Sequence, residues 1–488
     1  MWTRTFRVLA FVLMVAAVLA SLAGAQTITP YPSGPPFRGQ PDDDFKFRDL
    51  RQELKNKMTG TFTVTSVGDL FWTLPVAERM SPQLRDVLRS ADATFGNFEG
   101  GPRVQPRDSA KDLQDLGFDF LAPGEGSQAH ELMGEFGIKM AGSGPSLTMA
   151  RRPVFQERPQ GRVAFLAACP GTNLCGNRAT DGDDPRAGVN LLNLNIWNTV
   201  TAEQFGHLKA ILDAVLARRN EHDVLVPSDP PPPQPPGHLM LWGQKYMIAA
   251  KTGELHYEIE PADEQAQILA VRNAKEISDF VVFHMHSHLN RYSFQKYSHD
   301  NYPADFMQPF IHKLIDNGLD MYFGSGNHSM QGIEIYKGRP IFYNQGNMGV
   351  DLVRRPDSPA NRGNMTGTEG REESAAESQD DPASVAYMAH TSYKDGRLVE
   401  IRIYPVDVGV GRRPWSREHI PETPSPELAR SILQQIQKFS EPFGTKISIE
   451  NNIGIIRVPP EATVDIGGDL DVPGRKPGTA PPSSWRPR

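Results

Sequence analysis

Cysteine is nearly missing from this chain: 488 residues contain two, Cys169 and Cys175, both within the stretch CPGTNLC. That scarcity excludes a cysteine-rich zinc scaffold and a disulfide-dense small domain. An excess of positive charge is missing too, since 51 Lys and Arg face 58 Asp and Glu. The field of such a molecule repels nucleic acid rather than attracting it. No Gly-rich phosphate loop and no G-x-S-x-G nucleophile elbow occurs, the nearest approach being GSGPS at 142–146, which has the spacing of neither. Beyond the N-terminus, no apolar run reaches the ~20 residues that a membrane helix requires.

The N-terminus itself is apolar. Arg4 and Arg7 precede an apolar run from Val8 to Ala20, and Ala23-Gly24-Ala25 supplies small residues where a signal peptidase cuts. Residues 1–25 therefore read as a secretory signal peptide, and as a membrane anchor only if left uncleaved. Without them, 49 bases against 58 acids give a net charge of −9. The sequence thus predicts a secreted, periplasmic or cell-surface protein. In that oxidising setting Cys169 and Cys175 are candidates for a small-loop disulfide. Two thiolates with no nearby Cys or His make only half a zinc site, and no neighbouring base points to a catalytic thiol.

Residues 26–59 form a Pro-rich, polar linker and residues 446–488 a Pro-rich tail, both with little to bury. Between them, strand-like and helix-like runs alternate, which argues for an α/β fold. Strands are expected at 61–69, 91–99, 162–168, 278–284, 320–326, 339–345, 384–393 and 398–406. Helices are expected at 82–91, 126–137, 201–219, 263–277, 303–318 and 426–444. The stretch PSDPPPPQPPG at 227–237 reads as a polyproline spacer.

What the sequence does have is FVVFHMHSHLNRYS at 280–293, with histidine at every second position directly after an apolar strand. Side chains two apart in an extended segment share a face, so His284, His286 and His288 would look into one space. Neutral imidazole is the commonest protein ligand for zinc-like ions. The plain alternative is a His-rich surface strand, but the whole chain contains only 13 histidines. Other chemically capable residues also fall at strand ends: Asp69, Asn97 with Glu99, and His328 after DMYFGSG. Ligands gather beyond the carboxyl ends of strands in open α/β sheets.

These motifs, in this order, resemble the CapA-type family, named for poly-gamma-glutamate capsule synthesis. The family pattern of G-D, N-L-E, N-N-H, H-W-G-x-E, H-P-H with an L-Q-G-I-E-like stretch, and L-G-N-F is met as follows. Gly68-Asp69 comes first, then Asn97-Phe98-Glu99, then His284 to His288, then Asn327-His328-Ser329-Met330-Gln331-Gly332-Ile333-Glu334, and last Gln345-Gly346-Asn347-Met348. The resemblance covers residues 60–445, with insertions at about 207–262 and 354–384. It implies a calcineurin-like metallophosphoesterase sandwich, two mixed sheets flanked by helices. The sequence also departs from the pattern. Where N-N-H is expected the chain reads Pro123-Gly124-Glu125, and the first histidine of H-P-H is Gly326.

The expected metal ligands are Asp69, Asn97, Glu99, His284, His286 and His328, holding a divalent Mn, Zn or Mg ion. His284 matches the family histidine, whereas His286 and His288 rest on local geometry. Glu99, His286 and His288 are the expected catalytic groups, an unligated histidine protonating the leaving group. Asp69 could instead cap a turn, Asn97 and Glu99 could close a strand, and Asn347 could stabilise a turn. Glu125 is a candidate replacement for the absent histidine; His312, on a helix face, reads as structural.

Two functions fit. One is an exported CapA-like protein of surface-polymer biosynthesis with a metal-dependent hydrolase site acting on a phosphoester or polymer amide. The other is a non-catalytic member with a degenerate site that binds an anionic polymer or capsule-export proteins. A His-rich metal store is the weakest reading, since it leaves QGIEIYKGRPIFYNQGN unexplained.

Overall fold

The strand Phe280–His286 shows how the molecule is layered, because every one of its residues is buried, on both faces. Phe280 and Val282 join the core between two sheets, while Val281, Phe283 and Met285 pack outward onto helices. Side chains of odd and even register therefore serve different layers, as the period of a strand demands. The computed structural model describes residues 55–70, 75–99, 106–123, 130–171, 175–219, 234–289, 291–292, 301–349, 385–409 and 420–464. The signal segment 1–25, most of the linker, residues 227–233, the insertion 354–384, Glu125 and residues 465–488 lie outside the described residues.

One mixed sheet has eight strands, in the order Ser448–Glu450, Ile453–Arg457, Arg397–Asp407, Val385–Lys394, Thr61–Leu70, Ala93–Phe98, Phe120–Pro123 and Lys139–Met140. The other has seven, running Ile333–Tyr336, Arg339–Phe342, Met321–Ser325, Phe280–His286, Gly161–Pro170 and Val154–Arg158, with Leu191–Leu192 beside Gly161–Pro170. Parallel and antiparallel pairs occur in both. Between the sheets Phe95 stacks on Phe120 at 4.7 Å and meets Phe165 edge-on at 5.3 Å. Each such fully buried ring contributes roughly 2–3 kcal/mol. Helices Pro261–Glu276 and Met307–Asp316 cover the outer face of the second sheet through Val271, Phe310 and Leu314. Helix Pro82–Ser90 covers the first through Leu84 and Leu88. Two mixed sheets flanked by helices are thus the architecture, as the resemblance implied.

One expectation needs correction. Residues 448–457 are not tail: they form a hairpin that extends the first sheet beyond Arg397–Asp407. Asn451 and Asn452 turn it, both at positive φ, which is the backbone a two-residue hairpin loop needs. The described residues of the stretch expected as an insertion at 207–262 carry regular structure of their own. Helix Ala202–Arg219 begins before it, and strands His238–Leu241, Gln244–Ile248, Leu194–Val200 and Leu255–Ile259 make a separate four-stranded sheet.

The feature that positions the site is an irregularity at the end of Thr61–Leu70, where the pairing register with Ala93–Phe98 shifts between Ser66 and Asp69. Residues 346–348 cross here: Asp69 N–H donates to Gly346 O at 3.1 Å and Met348 N–H to Asp69 O at 2.8 Å. A Cβ on Gly68 would lie 1.9 Å from Gly346 O, so only glycine permits the crossing. Segments from both sheets are thereby locked around Asp69.

Candidate metal centre

Four strand ends deliver the polar groups. Asp69 ends Thr61–Leu70, Asn97 and Glu99 end Ala93–Phe98, His286 ends Phe280–His286, and Gly326 and His328 follow Met321–Ser325. Asp69 is fully buried. Its Oδ1 accepts from Asn97 Nδ2 at 2.7 Å and lies 3.5 Å from His286 Nδ1. Its Oδ2 accepts from Gly326 N–H at 2.8 Å and lies 3.7 Å from His328 Nδ1. Burial alone would raise its pKa, but the neighbouring His286 and His328 and the Gly326 amide outweigh it and hold the carboxyl well below the usual carboxylate range. The group is therefore ionised.

Glu99 is buried and shared. Its Oε1 lies 3.5 Å from His286 Nε2 and 3.8 Å from His288 Nε2. The two imidazoles meet at 2.7 Å between their Nε2 atoms, and the rings of His288 and His328 lie 5.1 Å apart. Two donor triads result: Glu99, His286 and His288, and Asp69, Glu99 and His328, each with ligand atoms within 4.8 Å of one another. Carboxylate oxygen with imidazole nitrogen suits a divalent ion of the manganese or zinc kind, so the residues present fit such an ion. Burial grades across the site. Asp69 and Glu99 lie deep, whereas the side chains of His288 and His328 are 9% and 23% exposed and form the rim.

His328 sits at φ 54°, a left-handed backbone uncommon for a non-glycine residue and concentrated at functional sites. Its Nδ1 pairs with Asn347 Oδ1 at 2.9 Å, so Asn347, which bridges to Asp69 through its backbone, also orients an imidazole. Gly326, where the family pattern has histidine, has φ 94°. A Cβ there would stand 2.8 Å from Ser287 N and 3.1 Å from His286 Cε1, so His286 occupies the space that a side chain at 326 would need.

The structure does not place all expected residues alike. His284 belongs to neither triad; it is fully buried, ring against Phe323 at 4.7 Å, with Nε2 on Ser325 Oγ at 2.9 Å. Burial lowers its pKa to about 3, with His286 adding to the effect. Asn97, expected as a carbonyl ligand, turns its amide nitrogen to Asp69, and its Oδ1 is buried without a hydrogen-bond partner among the described residues. His312 pairs with Glu334 at 2.8 Å and stacks on Tyr336. Cys169 and Cys175 are joined in a disulfide, with Cys175 Sγ 3.6 Å from His286 O. Sequence reasoning missed Ser325, which touches both His284 and His286. Its signal is register alone, because Ser325 pairs with His286 in the parallel ladder.

The family of bacterial capsule synthesis proteins designated PGA_cap matches residues 63–351, a span that holds every residue of the centre. The chain belongs to this family. An uncharacterized protein from Sinorhizobium fredii is 30% identical over 473 residues, covering 86% of this chain and 98% of its own. A probable polyglutamine synthesis accessory protein of Mycobacterium tuberculosis is 29% identical over 146 residues, 30% of this chain and 31% of that one. The PGA biosynthesis protein CapA of Bacillus subtilis is 34% identical over 91 residues, 19% of this chain and 22% of its own. No helix among the described residues of this PGA_cap protein is long and apolar enough to cross a membrane.

Proposed function

We propose that this is an exported CapA-like protein of capsule, poly-gamma-glutamate or related surface-polymer biosynthesis, with a divalent-metal hydrolase site acting on a phosphoester or on a polymer amide. The observation that carries the reading is the sharing of Glu99 by two buried triads drawn from four strands. Asp69, Glu99 and His328 would hold the ion. A divalent cation bound there would supply polarisation of a phosphoryl or acyl oxygen and activation of water near neutral pH. His286 and His288, in contact with each other and close to Glu99, hold and pass the proton that the leaving group needs. Substrate approaches from the rim made by His288 and His328. The partner is an anionic surface polymer or phosphoester, not nucleic acid, and capsule-export proteins fit the same setting.

A second reading, a polymer-binding member without catalysis, is favoured by one observation: the tight packing at Gly326 leaves no room for the histidine of the family pattern. One experiment separates the two. The purified mature protein is assayed for bound metal, and for hydrolysis of bis(p-nitrophenyl) phosphate and poly-gamma-glutamate with added manganese or zinc. The hydrolase reading expects retained metal and turnover, both lost in Asp69→Ala and His328→Ala. Polymer binding with neither metal nor turnover in the unaltered protein selects the second reading.

A further inference from the structure

His284 and Ser325 lie behind the centre, and neither belongs to the donor triads. The Nδ1 of His284 is buried with no hydrogen-bond partner among the described residues. A proton there would be an orphaned N–H inside the core, the costlier kind of unsatisfied group. The ring therefore carries its proton on Nε2, which donates to Ser325 Oγ at 2.9 Å. Ser325 is buried and has one hydroxyl proton of its own to place. Among the described residues, the other polar side-chain atom recorded in its reach is His286 Nδ1, at 3.1 Å.

Asn97 bears on the same nitrogen. Its amide group 2.7 Å from Asp69 Oδ1 must be the NH2 end, because an ionised carboxylate only accepts. That same Nδ2 lies 3.0 Å from His286 Nδ1. Two donors thus converge on Nδ1 at 3.0 and 3.1 Å, nearer than the Asp69 Oδ1 that lies 3.5 Å away, which leaves it an acceptor.

We propose that Ser325, backed by His284, is a positioning residue that fixes His286 in the tautomer carrying its proton on Nε2, turned toward His288 and Glu99. His286 Nε2 is 2.7 Å from His288 Nε2 and 3.5 Å from Glu99 Oε1. In this arrangement His286 presents a proton to the cavity instead of a lone pair, and the ion falls to Asp69, Glu99 and His328. The use of that proton in catalysis rests on the hydrolase reading; the tautomer does not. Parallel pairing makes the arrangement rigid, since Ser325 is the register partner of His286 and His284 is that of Phe323. The absence of a side chain at Gly326 lets the ring lie close.

The test uses the full mature protein, metal-free, with 15N-labelled histidine, at about pH 8 where ordinary imidazoles are neutral. Long-range 1H–15N correlation reads which ring nitrogen is protonated, and loss of a signal set in His286→Gln assigns it. The expected spectrum shows His286 protonated on Nε2. Ser325→Ala is expected to shift it toward a mixture of tautomers, and Ser325→Thr, which keeps the hydroxyl, to restore the original pattern. A His286 protonated on Nδ1 in the unaltered protein overturns the proposal, as does an unchanged pattern in Ser325→Ala. If Ser325→Ala does not fold, the unaltered protein decides alone. Absence of metal binding or turnover removes the hydrolase reading and leaves the tautomer standing, so the two failures are distinguishable.

Discussion

Gly326 and Asp69, 257 positions apart in the chain, are joined by a hydrogen bond of 2.8 Å from the glycine amide to the buried carboxylate. This bond fastens the end of one sheet to the end of the other, and its acceptor Asp69 belongs to one of the two donor triads. The centre is therefore a consequence of how the sheets meet, and its geometry is as stable as that junction.

Gly326→Ala tests the junction. Its Cβ would sit 2.8 Å from Ser287 N at a backbone φ of 94°, so both sterics and conformation oppose it. Overpacking of this kind typically costs about 1–3 kcal/mol, and the shift would push His286 out of contact with its partners. Chemical denaturation should show the lost stability, and metal titration a weakened site. An alanine variant as stable as the parent would mean that the segment around 326 is looser than the structure shows.

Metal should stabilise the folded state by mass action. At about 100 times its dissociation constant, an ion that binds only the folded chain adds ~2.7 kcal/mol. Thermal unfolding with and without manganese or zinc should therefore separate for the parent protein. The separation should vanish in Asp69→Asn, which keeps an acceptor for Gly326 but removes the charge.

Much of this was legible in the sequence, for reasons that differ by residue. Asp69, Asn97, Glu99 and His328 were found because each follows a strand-like apolar run, and strand ends are where such sheets gather ligands. Alternation placed His284 and His286 on one face, and the structure keeps them there. What alternation does not encode is depth: His284 is one step further from the strand end, and that step takes it from the cavity into the core. Ser325 was invisible because its role comes from pairing across strands 39 residues apart. The hairpin at 448–457 was read as tail because Pro-rich sequence follows it, although ISIENNIGIIRV carries the apolar alternation and turn of a strand pair.

Glu334 should make stability depend on pH. It is buried, accepting from Tyr343 Oη at 2.6 Å and Gln308 Nε2 at 3.1 Å, with His312 Nε2 at 2.8 Å. Burial pushes its pKa up, but these partners outweigh it, and the carboxyl sits below its ordinary value. A depressed folded pKa means that the contribution is fully present above the unfolded value, about 4.3, and is lost as pH falls through the folded one. Denaturation of the parent and of Glu334→Gln should thus differ most near neutrality and converge in acid. A difference that stays constant from pH 7 down to pH 3 would show that packing, not charge, is what Glu334 supplies.

The disulfide provides the last test. Cys169 and Cys175 are six positions apart and close a short loop, for which the chain-entropy relation gives about 2–3 kcal/mol. The bond also braces the centre, since Cys175 Sγ lies 3.6 Å from the carbonyl of His286, and strand Gly161–Pro170 pairs directly with Phe280–His286. Cys169→Ser with Cys175→Ser should lower the free energy of unfolding by that amount and weaken metal binding. Thiol reductant should reproduce both effects in the parent and change neither in the double variant. Reduction that lowers stability while leaving metal affinity untouched would separate the brace from the centre and leave the bond a purely structural role.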